Sequence, residues 1–227
     1  MGIKDFISEL EGERVEGQLV KTVLYGLIAS AIVLALLYFF KFRYVENFSS
    51  KYGLYLILVS LSYVLVLPLI KQVKSYDIFP CMSGMMIGMT AGMVSGFLSG
   101  FMVGATNGMF IGGVFGMVVG ILLGMWLGRC CGVMGMMEGI MAGFMGGWMG
   151  AMTSVMLLND HIQVASVIVF FVNAVIVFML NYMIYAEKKE HQVEKNSDNS
   201  SILFILAILL VITSWIMIYG PKGGLLQ

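Results

Sequence analysis

The stretch from Gly84 to Gly132 reads GMMIGMTAGMVSGFLSGFMVGATNGMFIGGVFGMVVGILLGMWLGRCCG, with a glycine at every fourth position. After a three-residue step the series resumes at Gly135, Gly139, Gly143 and Gly147. The residues between are almost all apolar. In water this would be a poor helix, because each interior glycine costs about 1 kcal/mol against alanine. In a bilayer the backbone must satisfy its own hydrogen bonds, so the helix forms regardless. There a glycine stripe lets neighbouring backbones approach closely.

The composition agrees. Apolar residues make up 59% of the chain and charged residues 11%, where soluble domains average about 25% charged. The expected fold is all-α: a polytopic helical membrane protein in contact with the lipid bilayer. The formal net charge is zero, so no nucleic-acid partner is expected.

Crossing the ~30 Å hydrocarbon core takes about 20 apolar residues. Segments 22–40, 52–70, 162–185 and 201–219 meet that test. Gly84 to Gly132 would be about 72 Å of straight helix, more than twice the core. Polar residues interrupt it at Ala105-Thr106-Asn107-Gly108 and Arg129-Cys130-Cys131-Gly132. The predicted central helices are therefore 81–104, 108–128 and 133–157, giving about seven spans in a single domain, 22–219. Residues 1–21 carry eight charges and do not read as a cleavable signal. Ile3, Phe6, Ile7 and Leu10 share one face and suit a short interfacial helix. Residues 186–200 read as a polar loop and 220–227 as a tail. Lys4, Arg14, Lys21, Lys71, Lys74, Arg129, Lys188, Lys189 and Lys195 fall on the N-terminal side, against Lys41, Arg43, Lys51 and Lys222 opposite. This predicts a cytoplasmic N-terminus in the cell membrane.

Seventeen of the 21 methionines lie between Met82 and Met156. They recur four apart, as Met82/Met86, Met85/Met89/Met93, Met137/Met141/Met145/Met149 and Met152/Met156, so each set forms a vertical row on its helix. Glycine packing would set rows on adjacent helices face to face. Cys81 opens one central helix and Cys130-Cys131 closes the next, so a hairpin brings all three thiols to one membrane face. Met134 lies within a turn of them. Glu138 is the one acidic residue inside a predicted span, and an ionisable group there is a functional candidate. With His161 these residues trace a line in which donors soften from imidazole through thioether to thiolate.

Thioethers and thiolates suit Cu(I) or Ag(I) and discriminate against hard cations. Weak repeated sites also suit permeation. The Met-x-x-x-Met and Gly-x-x-x-Gly patterns resemble the local vocabulary of the CTR-type eukaryotic copper transporters, over those short patterns alone. Those proteins have three spans, and no fold or residue role is carried over. The expected function is soft-metal transport or delivery, with Cu(I) as the bound ion and a path between glycine-packed helices. Two alternatives stand beside it. One is an assembly protein in which the glycine stripe joins helices, including those of a second copy or another membrane protein. The other is a Met-lined groove for hydrophobic client helices. No nucleotide loop, Ser/His/Asp set or His-Glu-x-x-His pattern occurs, so no enzyme is expected. Asn173 and Asn181 read as hydrogen-bonding a neighbouring helix.

Overall fold

The computed structural model describes residues 15–40, 48–75, 80–188 and 199–221. The interfacial segment at Ile3–Leu10, most of the polar loop, Lys41, Arg43 and most of the tail lie outside them. The described chain is helical, without a strand: α1 (Val15–Phe40), α2 (Phe48–Ser75), α3 (Cys81–Asn107), α4 (Met109–Gly128), a 3-10 turn (Arg129–Cys131), α5 (Gly132–Met156), α6 (Ile162–Lys188) and α7 (Asn199–Tyr219). Five stretches are long and apolar enough to cross a membrane: Lys21–Phe39, Gly53–Ser75, Cys81–Asn107, Met109–Met156 and Ile162–Ala186. The apolar part of α7, Leu203–Tyr219, is shorter. Such a set fits a multi-pass membrane protein.

The Met109–Met156 stretch is 48 residues long, yet it doubles back. A methyl group built on Gly124 would lie 2.6 Å from the Gly139 carbonyl oxygen, and one on Gly120 would lie 2.9 Å from the Gly143 Cα. Pairs that converge in number along one chain describe an antiparallel hairpin. Its turn falls at Gly132, whose φ of 68° is open to glycine and strained for other residues. The α3–α4 corner is made by Gly108, with φ 104°.

Helix α3 continues through Asn107, beyond the expected stop at Gly104. The polar residues there find partners inside the helical conformation. Thr106 Oγ1 donates to the Val103 carbonyl at 3.1 Å, and Asn107 Nδ2 donates to the Ile216 carbonyl on α7 at 2.9 Å. Ser62, Ser95, Ser99 and Ser214 each donate to a carbonyl four residues back in their own helix. Hydroxyls satisfied in this way cost little in an apolar setting. Asn173 does the same, its Nδ2 reaching the Val169 carbonyl at 2.8 Å rather than a neighbouring helix.

α3 and α5 run parallel. Methyl groups built on Gly88, Gly92, Gly96 and Gly100 would lie 2.8, 2.7, 3.0 and 2.5 Å from the carbonyl oxygens of Gly135, Gly139, Gly143 and Gly147. α4 runs antiparallel beside both, with Gly100 Cα 2.6 Å from a methyl built on Gly116 and Gly92 Cα 2.9 Å from one on Gly124. Three backbones therefore meet in layers with no side chain between them: Gly88/Gly128/Gly135, Gly92/Gly124/Gly139, Gly96/Gly120/Gly143 and Gly100/Gly116/Gly147. α5 packs mainly on α3, α4 and the turn, while α2, α6 and α7 cover the other side of α3.

In each layer the obstructing atoms are backbone, which cannot step aside as a flexible side chain can. Gly139→Ala and Gly143→Ala should each destabilise the protein by roughly 1–3 kcal/mol, the usual cost of overpacking. Met141→Leu, on the exposed outer face of α5, should change stability little. Reversible unfolding in mixed micelles would compare the three. Wild-type stability in both glycine variants would contradict the close packing.

Candidate functional site

The position of each sulfur relative to the glycines follows from the 100° turn per residue. Met137, Met141, Met145 and Met149 each come two residues after a glycine of the α5 stripe, about 200° round the helix. They point away from the packed seam, and Met141 is 59% exposed. Met152, Met156, Met82 and Met86 are exposed as well. His161, with φ 41°, lies exposed in the turn before α6. These side chains do not lie between the glycine-packed helices, where the path was expected. The glycine rows pack so tightly that nothing lies between them, and the long α5 row is on the outside.

A second set borders the seam. On α3, Cys81, Met85, Met89 and Met93 share one face, the last three each one residue after a stripe glycine. On α5, Met134, Glu138, Ala142, Gly146 and Gly150 share another, all but the last one residue before a stripe glycine. These two faces meet. A methyl built on Gly146 would lie 2.6 Å from the Met93 carbonyl oxygen, and one on Gly150 would lie 3.0 Å from the Phe101 amide nitrogen. One turn toward the hairpin, the same register sets Ala142 level with Met89 and Met93. A further turn sets Glu138 level with Met85 and Met89, and the next sets Met134 level with Cys81 and Met85. The seam is thus closed by small residues at one end. Toward the turn it is bordered by two α3 thioethers, one α5 thioether and a carboxylate. Met85 and Glu138 are half-buried there, whereas Met89, Met93 and Met134 are exposed at the edge of the seam.

The cysteines converge at that end. Cys131 Sγ lies 3.3 Å from the Pro80 carbonyl oxygen and 3.4 Å from that of Cys81. The Cys130 thiol donates to the Leu127 carbonyl at 3.3 Å, and a methyl on Gly84 would lie 3.0 Å from the Cys130 Sγ. Cys81 is exposed and the other two are half-buried; none of the three forms a disulfide. Among the described residues, no three His, Cys, Asp or Glu side chains form a metal-holding group. A soft-metal site at this end would have to recruit thioethers. The α4 methionines, Met109, Met117 and Met125, lie on the third helix of the unit and take no part in this face.

Residue periodicity alone distinguishes the sulfurs that flank the seam from those on the opposite face of α5, and the expectation above joined them into one line. The signal was the offset from the nearest glycine. Lys74, whose Nζ sits 5.3 Å from the Trp126 ring centroid, and Arg129 add positive charge at the same end.

No protein-family profile, curated protein or solved structure matches this chain.

The register is open to a direct test. With Cys81, Cys130 and Cys131 changed to serine, the pair Met89→Cys and Glu138→Cys should crosslink rapidly on mild oxidation. Met89→Cys with Met149→Cys should not. Equal crosslinking of both pairs, read by a gel shift after proteolysis between α3 and α5, would reject the parallel alignment.

Proposed function

We propose that this chain is a seven-span membrane protein that binds and passes on a soft metal ion, Cu(I) or Ag(I), at the turn end of the α3–α5 seam. The observation that carries this reading is the register of the two parallel helices, which groups Met85, Met89, Met134 and Glu138 beside the three cysteines. Met93 extends the row on α3. Thioether and thiolate donors favour monovalent copper and silver over the abundant hard cations. Glu138 supplies a negative charge for a cation or accepts a proton on its release. The outward rows, Met137 to Met149 with Met152 and Met156, then serve as weak, repeated contacts along the rim toward His161.

Two crossings by the folded-back Met109–Met156 stretch and one by α7 raise the five apolar stretches to seven spans. Lys21, Lys71, Lys74 and Arg129 then share one end, and Lys71 Nζ donates to Thr22 Oγ1 at 2.9 Å across α1 and α2. By the distribution of basic residues that end is cytoplasmic. The thiols would face a reducing compartment, where free cysteine persists.

The second reading, a scaffold whose glycine layers exist to join helices, is favoured by the outward direction of Met137, Met141, Met145 and Met149. The two readings separate by metal retention. Purified protein under reducing conditions, titrated with Cu(I) against a competing chelator, should hold copper. Met85→Leu with Met134→Leu, and separately Cys81→Ser with Cys131→Ser, should weaken it by about tenfold or more, ~1.4 kcal/mol. Met141→Leu with Met145→Leu should weaken it far less. No copper held above a detergent blank, with all variants folded, would leave the scaffold reading in its place.

A further inference from the structure

On the far side of α3 from the glycine seam, α2 and α6 enclose an open groove of about 380 Å³, within the ~300–1,000 Å³ range of ligand clefts. Its walls are apolar, from Leu65, Pro68, Ala174, Val175 and Phe178, with one polar side chain, Asn181, at its end. Asn181 is 7% exposed, and its Oδ1 has no hydrogen-bond partner. Behind it Gln72, 0% exposed, donates from Nε2 to the Asn181 backbone carbonyl at 3.2 Å, and its Oε1 is likewise unpartnered. Reversing the Gln72 amide would set oxygen against oxygen, so the open position on Gln72 is an acceptor. Pro68 has no N–H, so the Val64 carbonyl lacks its usual helical donor. Acceptors without a donor therefore cluster here, at Asn181 Oδ1 and Gln72 Oε1, and an unsatisfied buried polar group is costly.

The depth is informative. Gln72 lies in the last turn of α2, and Asn181 lies within two turns of the end of α6. The apolar walls run from there toward the middle of both helices. A ligand that fits is an apolar chain pointing inward, with a hydrogen-bond donor at the level of the helix ends.

We propose that the α2–α6 groove binds a membrane lipid whose head group offers a hydrogen-bond donor to Asn181, with its acyl chain along Pro68, Ala174 and Val175. The donor is an ammonium or a hydroxyl group. This inference rests on the membrane reading and is independent of any metal at the α3–α5 seam.

The test uses the full chain in nanodiscs of phosphatidylethanolamine, phosphatidylglycerol and phosphatidylcholine with matched acyl chains, followed by native mass spectrometry of retained lipid. Choline offers no donor. Retention of the ethanolamine or glycerol lipid should exceed that of the choline lipid by roughly threefold to tenfold, the discrimination one net hydrogen bond gives. Whichever donor lipid is retained identifies ammonium or hydroxyl. Asn181→Leu should abolish the preference. Ala174→Trp, which fills the groove and leaves the polar pair in place, should abolish retention, and it carries the test should the Asn181 variant fail to fold. Equal retention of all three lipids, or undiminished retention by Ala174→Trp, would overturn the proposal and leave the acceptors to water.

Discussion

The structure depends on backbone meeting backbone. In the layers of α3, α4 and α5 a carbonyl oxygen or Cα of one helix occupies the place where the Cβ of its neighbour would stand, as with Gly139 against Gly92. No side chain is small enough to substitute, so the four-residue glycine period is a steric requirement at each layer. Everything else in the unit is arranged by that contact. Side chains are expelled to the flanks and the outer face. α3 and α5 are brought side by side in parallel, which a direct tight turn cannot achieve. α4 supplies the return path, with corners at Gly108 and Gly132 where φ is positive. Residues that would be gap-fillers elsewhere become a border along the seam.

Much of this was legible in the sequence, and the reason is that a four-residue glycine repeat is nearly commensurate with the helix. The central helices begin and end close to the polar interruptions, and the turn at Arg129–Cys131 brings Cys131 to the start of α3. The facing direction of each methionine was also available, since it depends only on its offset from the nearest glycine. Met141, two residues after Gly139, lies opposite the seam, whereas Met134, one residue before Gly135, flanks it while remaining exposed. What a repeat does not encode is which flank of α3 receives α5, so the partners of Met85 and Met89 could not be read without coordinates. Asn107 misled for a related reason. It reads as a polar interruption, yet its partner is the Ile216 carbonyl, far away in sequence on α7. Asn181 was read as a helix-joining side chain, but it is its main-chain carbonyl that takes the bond from Gln72.

α3 is the wall between two chemically different halves. Its glycine face itself carries no hydroxyl, and the Ser154 hydroxyl that α5 brings against Gly104 is bonded to the Ala151 carbonyl, so the remaining polar character of that half is sulfur and Glu138. Its opposite side holds Ser95 and Ser99 against Ser62 and Tyr63 of α2, around a small space. Those serine hydroxyls are already spent on their own helices, which keeps the contact apolar in effect. Among the described residues, buried side-chain polar atoms without a hydrogen-bond partner are Tyr63 Oη on α2 and, nearer the end shared with the turn, Gln72 Oε1 and Asn181 Oδ1. Soft donors on one side and bare oxygen acceptors on the other thus lie at the same end of the bundle, separated by α3. Ligands of the two kinds would not compete. Sulfur has little affinity for a hydroxyl or ammonium head group, and amide oxygens are poor ligands for monovalent copper. Because the glycine layers hold α3 closely against α5, an occupant of the α2–α6 groove would influence the sulfur border by shifting α2 or α6 along α3, both of which pack on it. The side-chain contacts of α2 and α6 with α3 leave more room for such a shift than the backbone contact on the other face.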